Sequence, residues 1–176
     1  MSAAELWTIP LRKITNQPHE IVVLMTSNFS ESGKMTLDGE LDAYDELIRA
    51  ETGTALVLKP HPRDSQQKIQ QLRKRLSGRF RELVVLDNPH SFYLPFESVF
   101  DRFLWNKTPS APRVICTSSA CLSFEALYGI HCRLGFGEQA VRKYFRPEWV
   151  SHRLVHERDL LAVVHDIRNS HSRRAA

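Results

Sequence analysis

Residues 21–25 read Ile-Val-Val-Leu-Met, an apolar run with no polar residue on either face. A strand that is apolar on both faces is typical of the interior of a parallel sheet, because helices cover both sides of such a sheet. A polar loop follows from Ser27 to Leu37, and Asp38 is placed to cap a helix over about 39–50. This stretch therefore predicts the first strand, loop and helix of an α/β fold.

The same alternation recurs along the chain. Apolar runs predict four more strands, at 55–58, 83–86, 113–116 and 133–136. Further helices are predicted as a basic helix that Asp64 caps and as segments over 96–104, 122–128, 139–145 and 158–167. Alternating strands and helices of this kind predict an α/β fold, a Rossmann-like three-layer sandwich with a mainly parallel sheet.

The 176 residues suit one domain with its own core. Residues 1–19, interrupted by Pro10 and Pro18, are predicted to form a leader segment, and 20–168 the domain itself. The polar end, 169–176, is expected to be a flexible, frayed tail. The sequence shows neither a signal peptide nor an apolar run long enough for a transmembrane helix.

The positive charge is concentrated in one segment. The net charge is +4, yet residues 63–81 contain seven Lys or Arg and the single acid Asp64. This segment is interpreted either as a patch for an anionic ligand or, more simply, as a solvated helix face. It lacks interleaved aromatic residues that could stack on bases, so no nucleic-acid partner is expected.

Several familiar sites are excluded by their missing signatures. The three cysteines have no framework spacing, which favours a reducing cytoplasm over a disulfide scaffold. His152 and His156 are four residues apart but have no evident third ligand, so no metal site is predicted. The glycine motifs of dinucleotide and P-loop sites and the elbow of serine hydrolases are also missing.

Two loops follow predicted strands and therefore lie at the carboxyl edge of the sheet, where such folds bind ligands. Residues 59–63 read Lys-Pro-His-Pro-Arg, and the prolines on either side restrict the backbone around His61. An imidazole held in this way can donate a hydrogen bond to a phosphate, and Lys59 and Arg63 are candidates to converge on the same anion. The alternative is a rigid turn without a binding role.

The second loop, residues 117–120, places Ser118 and Ser119 before a predicted helix. A helix N-terminus binds anions readily, although a serine there can also serve only as a helix cap. Glu97 opens another helix after Pro95, and its carboxylate is a candidate for the hydroxyls of a ribose or for a simple interaction with the helix dipole.

These loops, in this order, resemble those of bacterial α-2,8-polysialyltransferases. The resemblance is carried by residues 59–63, 95–97 and 116–120, the segment 25–35 is also similar, and together they cover about residues 20–140. The family implies the GT-B arrangement, in which two Rossmann-like domains face a cleft and the C-terminal one binds the donor CMP-sialic acid. The chain then corresponds to this donor-binding half.

The resemblance also implies roles for individual residues. His61 would contact the donor phosphate and assist the departure of CMP, and Ser118 and Ser119 would hydrogen-bond the same phosphate. Glu97 would contact the ribose or the cytidine. No metal and no cofactor is implied, and CMP-sialic acid or CMP is the expected ligand.

The chain departs from the family in one respect. The family's general base belongs to an acidic-acidic-glycine motif of the N-terminal domain, whereas Asp38-Gly39 has no acid before it and falls in the other domain. The base and most of the acceptor site are therefore expected to be absent, with little transferase activity from the chain alone. A non-catalytic nucleotide-binding module and a relative that uses a CDP-polyol donor stay open as alternatives.

The expected partners are a nucleotide-sugar donor, a glycan acceptor and either a separate N-terminal domain or a second copy of the chain. The expected location is the cytoplasm, either free or peripheral at the inner face of the membrane.

Overall fold

A computed structural model describes residues 11, 14, 20–51, 55–105, 108 and 110–175. The strands in these ranges are β1 (Ile21–Met25), β2 (Ala55–Lys59), β3 (Glu82–Val85), β4 (Arg113–Cys116) and β5 (Arg133–Leu134). The helices are α1 (Leu37–Leu47), α2 (Gln66–Leu76), α3 (Pro89–Phe92), α4 (Phe96–Phe103), α5 (Cys121–Tyr128), α6 (Glu138–Tyr144) and α7 (Pro147–Ala175).

The five strands form one sheet in the order β3-β2-β1-β4-β5, and every neighbouring pair is parallel. The predicted Rossmann-like α/β arrangement is confirmed. Met25 at the end of β1 pairs with Lys59 of β2 and with Cys116 of β4. The three central strands therefore end at one level, and the loops that follow them lie side by side.

Both faces of the sheet are buried, as the apolar run of β1 predicted. Ile21, Val23 and Met25 belong to one core cluster, while Val22 and Leu24 belong to another on the opposite face. Side chains alternate between the faces of a strand, so a run that is apolar at every position requires cover on both sides. Aromatic residues of α4 and α5 complete the first cluster, and α1 and α2 complete the second.

Residues 1–19 lie outside the described part of the chain except for two positions. Leu11 and Ile14 are fully buried and belong to the first core cluster. The predicted leader is otherwise not tested by the structure.

Two helix caps differ from the sequence prediction. Thr36 rather than Asp38 caps α1, and its Oγ1 accepts the backbone N–H of Gly39 at 3.0 Å. Ser65 rather than Asp64 caps α2. The carboxylate of Asp64 is instead directed into the protein, where it stabilises the candidate site described below.

The basic helix α2 is an ion-paired surface. Arg75 and Arg79 both contact Asp45 on α1, and Arg73 contacts Asp87. These pairs are partly exposed and contribute little stability individually. They nevertheless satisfy much of the positive charge of the segment, which supports the interpretation as a solvated face rather than as an anion site.

The helix predicted over 158–167 is much longer in the structure. It begins at Pro147, a residue suited to the first turn of a helix, and continues through the polar residues from Ser170 that were expected to be frayed. Its second half is attached to α5 by Arg168, whose guanidinium contacts the buried carboxylate of Glu125. Within the described part of the chain, no helix is both long and apolar enough to cross a membrane.

Candidate functional site

A cleft of about 600 Å³ opens at the carboxyl edge of the sheet. One wall comes from the loops after β1, β2 and β4, and the other comes from the first turns of α7. His61 lies on the first wall together with Ser118 and Ser119. The structure thus brings together three residues that the sequence analysis selected from two separate loops.

His61 is held with one ring nitrogen occupied. Its Nδ1 accepts the backbone N–H of Arg63 at 3.1 Å, so the neutral ring carries its proton on Nε2. Partial burial lowers the pKa of His61, and the attraction of Asp64 offsets this only in part. The imidazole is therefore largely neutral at pH 7, with Nε2–H left as a hydrogen-bond donor for a ligand.

The backbone of His61 is held by hydrogen bonds to the side chains of Asp64 and Thr26. Its N–H donates to the carboxylate of Asp64 and to the hydroxyl oxygen of Thr26, each at 2.9 Å. The hydroxyl of Thr26 in turn donates to Asp64. Both supporting side chains are buried, so the hydrogen bonds work in a low dielectric and hold the loop firmly.

Asp64 is part of a buried ionic network centred on Lys68. The ammonium of Lys68 lies 2.8 Å from Asp64, 2.6 Å from Glu40 and 2.6 Å from the carbonyl oxygen of Ser27. Burial lowers the pKa of Lys68, but the two carboxylates raise it more, so the net shift is upward. Burial raises the pKa of Glu40 against the pull of Lys68. This network joins the loops after β1 and β2 and explains why the sequence places one lysine at a fully buried position of a basic helix.

Ser118 and Ser119 do not cap α5. The N-cap position is Ala120, which makes no side-chain capping bond. The hydroxyl of Ser118 lies 3.4 Å from the sulfur of Cys116, and Ser119 is exposed on the cleft. The interpretation of these serines as helix caps is therefore wrong, and their hydroxyls lie beside the positive end of the α5 dipole.

The other three predicted site residues do not line this cleft. Lys59 is buried, its ammonium donates to the carbonyl oxygens of Pro60 and Phe92, and burial lowers its pKa to about 8. Arg63 is exposed, and its backbone N–H donates to Nδ1 of His61. Glu97 opens α4, and its charge opposes only a small part of the lowering of the Lys59 pKa by burial. Contacts of Lys59, Arg63 and Glu97 with a donor remain predictions that this geometry does not favour.

The second wall was missed by the sequence analysis. Trp149, His152, Arg153 and His156 all line the cleft from α7. Their spacing places them on one face of a helix, a signal that was available in the sequence but was considered only for the two histidines.

Arg153 belongs to this second wall and contacts both neighbouring loops and its own helix. Its Nη2 donates to the carbonyl oxygen of Thr117 at 2.8 Å, its Nε donates to Glu157 at 2.8 Å, and its guanidinium lies 4.9 Å from the ring centre of Phe29. It thereby connects α7 to the loops that carry the serines and to the loop after β1.

Among the described residues that line the cleft, every acidic or basic side chain is basic. Lys34, His61, His152, Arg153 and His156 contribute to it, and no carboxylate is among its described lining residues. In the described part of the chain, no group of three or more His, Cys, Asp or Glu is arranged to hold a metal ion. The cleft is therefore suited to an anionic ligand.

Comparison with known families gave a match over most of the chain. The family described as Alpha-2,8-polysialyltransferase (POLYST) matches residues 8–131, which include His61, Ser118 and Ser119 but not the α7 wall. Comparisons with curated proteins and with solved structures gave no match. Because the match covers well over half of the chain, the protein belongs to the alpha-2,8-polysialyltransferase family.

Proposed function

We propose that the chain binds the CMP-linked sugar donor of a sialyltransferase-type reaction, with the donor phosphate between His61 and the Ser118–Ser119 pair. The observation that carries this proposal is the Nε2–H of His61, which has no hydrogen-bond partner among the described residues and lies in the same cleft as two serine hydroxyls that cap no helix. A neutral imidazole N–H, two hydroxyls and a helix N-terminus together form a suitable set of hydrogen-bond donors for a phosphate monoanion.

The same groups fit the chemistry of sugar transfer from CMP. As the bond between the sugar and the phosphate oxygen breaks, negative charge develops on the departing phosphate. Hydrogen-bond donors that are already fixed in place stabilise this developing charge more than they stabilise the charge of the ground state. Losing one such hydrogen-bond donor typically costs about 2.7–4 kcal/mol of activation free energy. The buried support of His61 by Thr26 and Asp64 provides such fixation.

The acceptor in this proposal is a glycan hydroxyl, as in the family. Among its described lining residues the cleft has basic groups and no carboxylate. It can therefore stabilise the phosphate of the sugar donor, but these residues provide no carboxylate as general base. We therefore assign donor binding and leaving-group stabilisation to these residues, and no step of acceptor activation.

Calorimetric titration of CMP tests the proposal. We expect saturable binding to the wild type that is weakened about tenfold or more by His61→Ala and by the double variant Ser118→Ala/Ser119→Ala, since each removes charge-assisted hydrogen bonds. His131→Ala and Ser170→Ala are matched controls, because both residues are exposed and lie outside the cleft.

A well-folded wild type that does not bind CMP would contradict the proposal. Binding that survives in both cleft variants would contradict the assignment of the residues. Circular dichroism of each variant establishes that any loss does not arise from unfolding.

A further inference from the structure

The cleft carries a second group of basic side chains, two on α7 and one in the loop after β1, that the proposed phosphate site does not use. Lys34, His152 and His156 line the cleft. In the described part of the chain, none of the three forms an ion pair with a carboxylate, and the ammonium of Lys34 lies over the ring of Trp149 at 5.1 Å. Three cationic or protonatable groups thus face one cleft without a direct ion pair to a carboxylate of the described residues.

His61 has charged neighbours of its own. The charges that shift the pKa of His61 belong to Asp64, Lys68, Arg63 and Lys59, all on its own loop and on α2. His152 and His156 lie on α7, whereas His61 lies in the loop after β2, so basic groups face the cleft from two different elements and can bind two separate anionic groups.

The surroundings of His156 are cationic. Its pKa is lowered by burial and then by Arg153, His152 and Lys34, against the single opposing carboxylate of Glu157. That carboxylate is itself occupied by the guanidinium of Arg153 and by the backbone N–H groups of residues 136 and 137. The wall therefore lacks an available counter-charge of its own.

We infer that Lys34, His152 and His156 form a second anion subsite, which binds an anionic group that the donor carries beyond its nucleotide phosphate. The inference rests on the proposed function. The shared chemistry is a carboxylate or a second phosphate, attached close enough to reach from the His61 wall to α7. A ligand that ends at the first phosphate makes no use of this subsite.

Titration of three ligands tests this subsite and separates the two sources of the anion. CMP ends at its phosphate, CDP adds a phosphate, and a non-hydrolysable analogue of CMP-sialic acid adds a carboxylate. At pH 6.5 we expect at least one of the extended ligands to bind the wild type about fivefold or more tighter than CMP, because charge-assisted hydrogen bonds contribute at this level. The extended ligand that binds more tightly than CMP identifies which anion the subsite binds.

The triple variant Lys34→Ala/His152→Gln/His156→Gln is expected to lose this advantage while its Kd for CMP stays within about twofold of the wild type. The matched control is Lys74→Ala/His131→Gln/His165→Gln, which removes the same residue types from exposed positions outside the cleft. Equal weakening of CMP and of the extended ligands by the first triple variant would overturn the inference, as would extended ligands that bind no tighter than CMP.

Histidine NMR provides a readout that is independent of nucleotide binding. Titration with inorganic pyrophosphate or with free N-acetylneuraminate is expected to raise the pKa of His156, because a bound anion stabilises its charged form. Unchanged pKa values with both probes would overturn the subsite. If CMP fails to bind while these shifts occur, only the proposed nucleotide site fails, so the two failures are distinguishable.

Discussion

The carboxylate of Asp64 accepts the backbone N–H of His61 at 2.9 Å, while its other oxygen lies 2.8 Å from the ammonium of Lys68. One buried acid therefore connects His61, the residue proposed to bind the phosphate, to the ionic network around Lys68. The position of the imidazole depends on residues that never touch the cleft, and substitutions in this support affect stability and binding together.

Removing the hydroxyl of Thr26 is the mildest change to this support. Thr26→Val keeps the shape of the side chain but leaves the N–H of His61 and the carboxylate of Asp64 with one partner fewer in a buried position. We expect a loss of about 1–3 kcal/mol in the free energy of unfolding, measured by urea denaturation. Thr26→Ser retains the hydroxyl and is expected to lose clearly less; equal losses in the two variants would assign the effect to packing instead.

Removing the cation at the centre of the network has a larger effect. Lys68→Met leaves the carboxylates of Glu40 and Asp64 buried without their counter-charge, and breaking a buried pair in this way costs about 3–5 kcal/mol. Lys74→Met on the exposed face of the same helix is the control, with an expected change within about 0.5 kcal/mol. Similar denaturation midpoints for the two variants would show that the network is not a stabilising centre.

Replacing Gly135 by alanine is expected to destabilise the fold for two reasons, the conformation of its backbone and a steric clash. Its φ is +68°, and a Cβ placed there would lie 2.5 Å from the carboxyl carbon of Glu157, the residue that holds Arg153. Gly33 has a similar φ of +71° with no atom within 4 Å of its Cβ position. Gly33→Ala therefore measures the backbone strain alone, about 1–2 kcal/mol, and Gly135→Ala is expected to cost clearly more in thermal or urea unfolding. Equal costs would mean that Glu157 moves aside freely.

The stability of the free chain is expected to fall as the pH decreases below about 6.5. The pKa values of His61 and His156 are both lowered from 6.5 in the folded state, chiefly by burial. Between the lowered values and 6.5 the unfolded chain binds more protons, so the free energy of unfolding rises with pH and is lost as the pH falls.

The double variant His61→Gln/His156→Gln is expected to show a shallower decline between about pH 7 and 5.5. The pair His131→Gln/His165→Gln, exposed and outside the cleft, controls for the number of histidines. Parallel pH profiles for the wild type and the first variant would contradict the prediction.

The strands could be predicted because burial imposes a simple pattern on them. The run from Ile21 to Met25 is apolar at every position, which only a strand covered on both faces requires. The first residues of the helices could not be predicted in this way, since a cap is decided by a local choice between neighbouring polar residues. Thr36 and Ser65 cap their helices, while the neighbouring Asp64 is recruited by Lys68 from the next turn of α2.

The first wall of the cleft could also be predicted. His61 and the Ser118–Ser119 pair each follow a strand, and parallel strands bring the loops at their carboxyl ends to one edge. Lys59 and Arg63 flank His61 in the sequence but do not line the cleft, because Lys59 is the buried last residue of β2 and the chain turns at residues 62 and 63 instead of staying extended.

By itself, the sequence determined the order of strands and helices, the burial of the sheet on both faces and the two loops that lie at its carboxyl edge. These features follow from local patterns of apolar, polar and turn residues. The tertiary structure alone decided that α7 folds back over this edge and places Trp149, His152, Arg153 and His156 opposite His61. It also decided that Lys68 is buried among carboxylates, because long-range packing and ion pairing depend on which distant segments meet, and no local pattern records that.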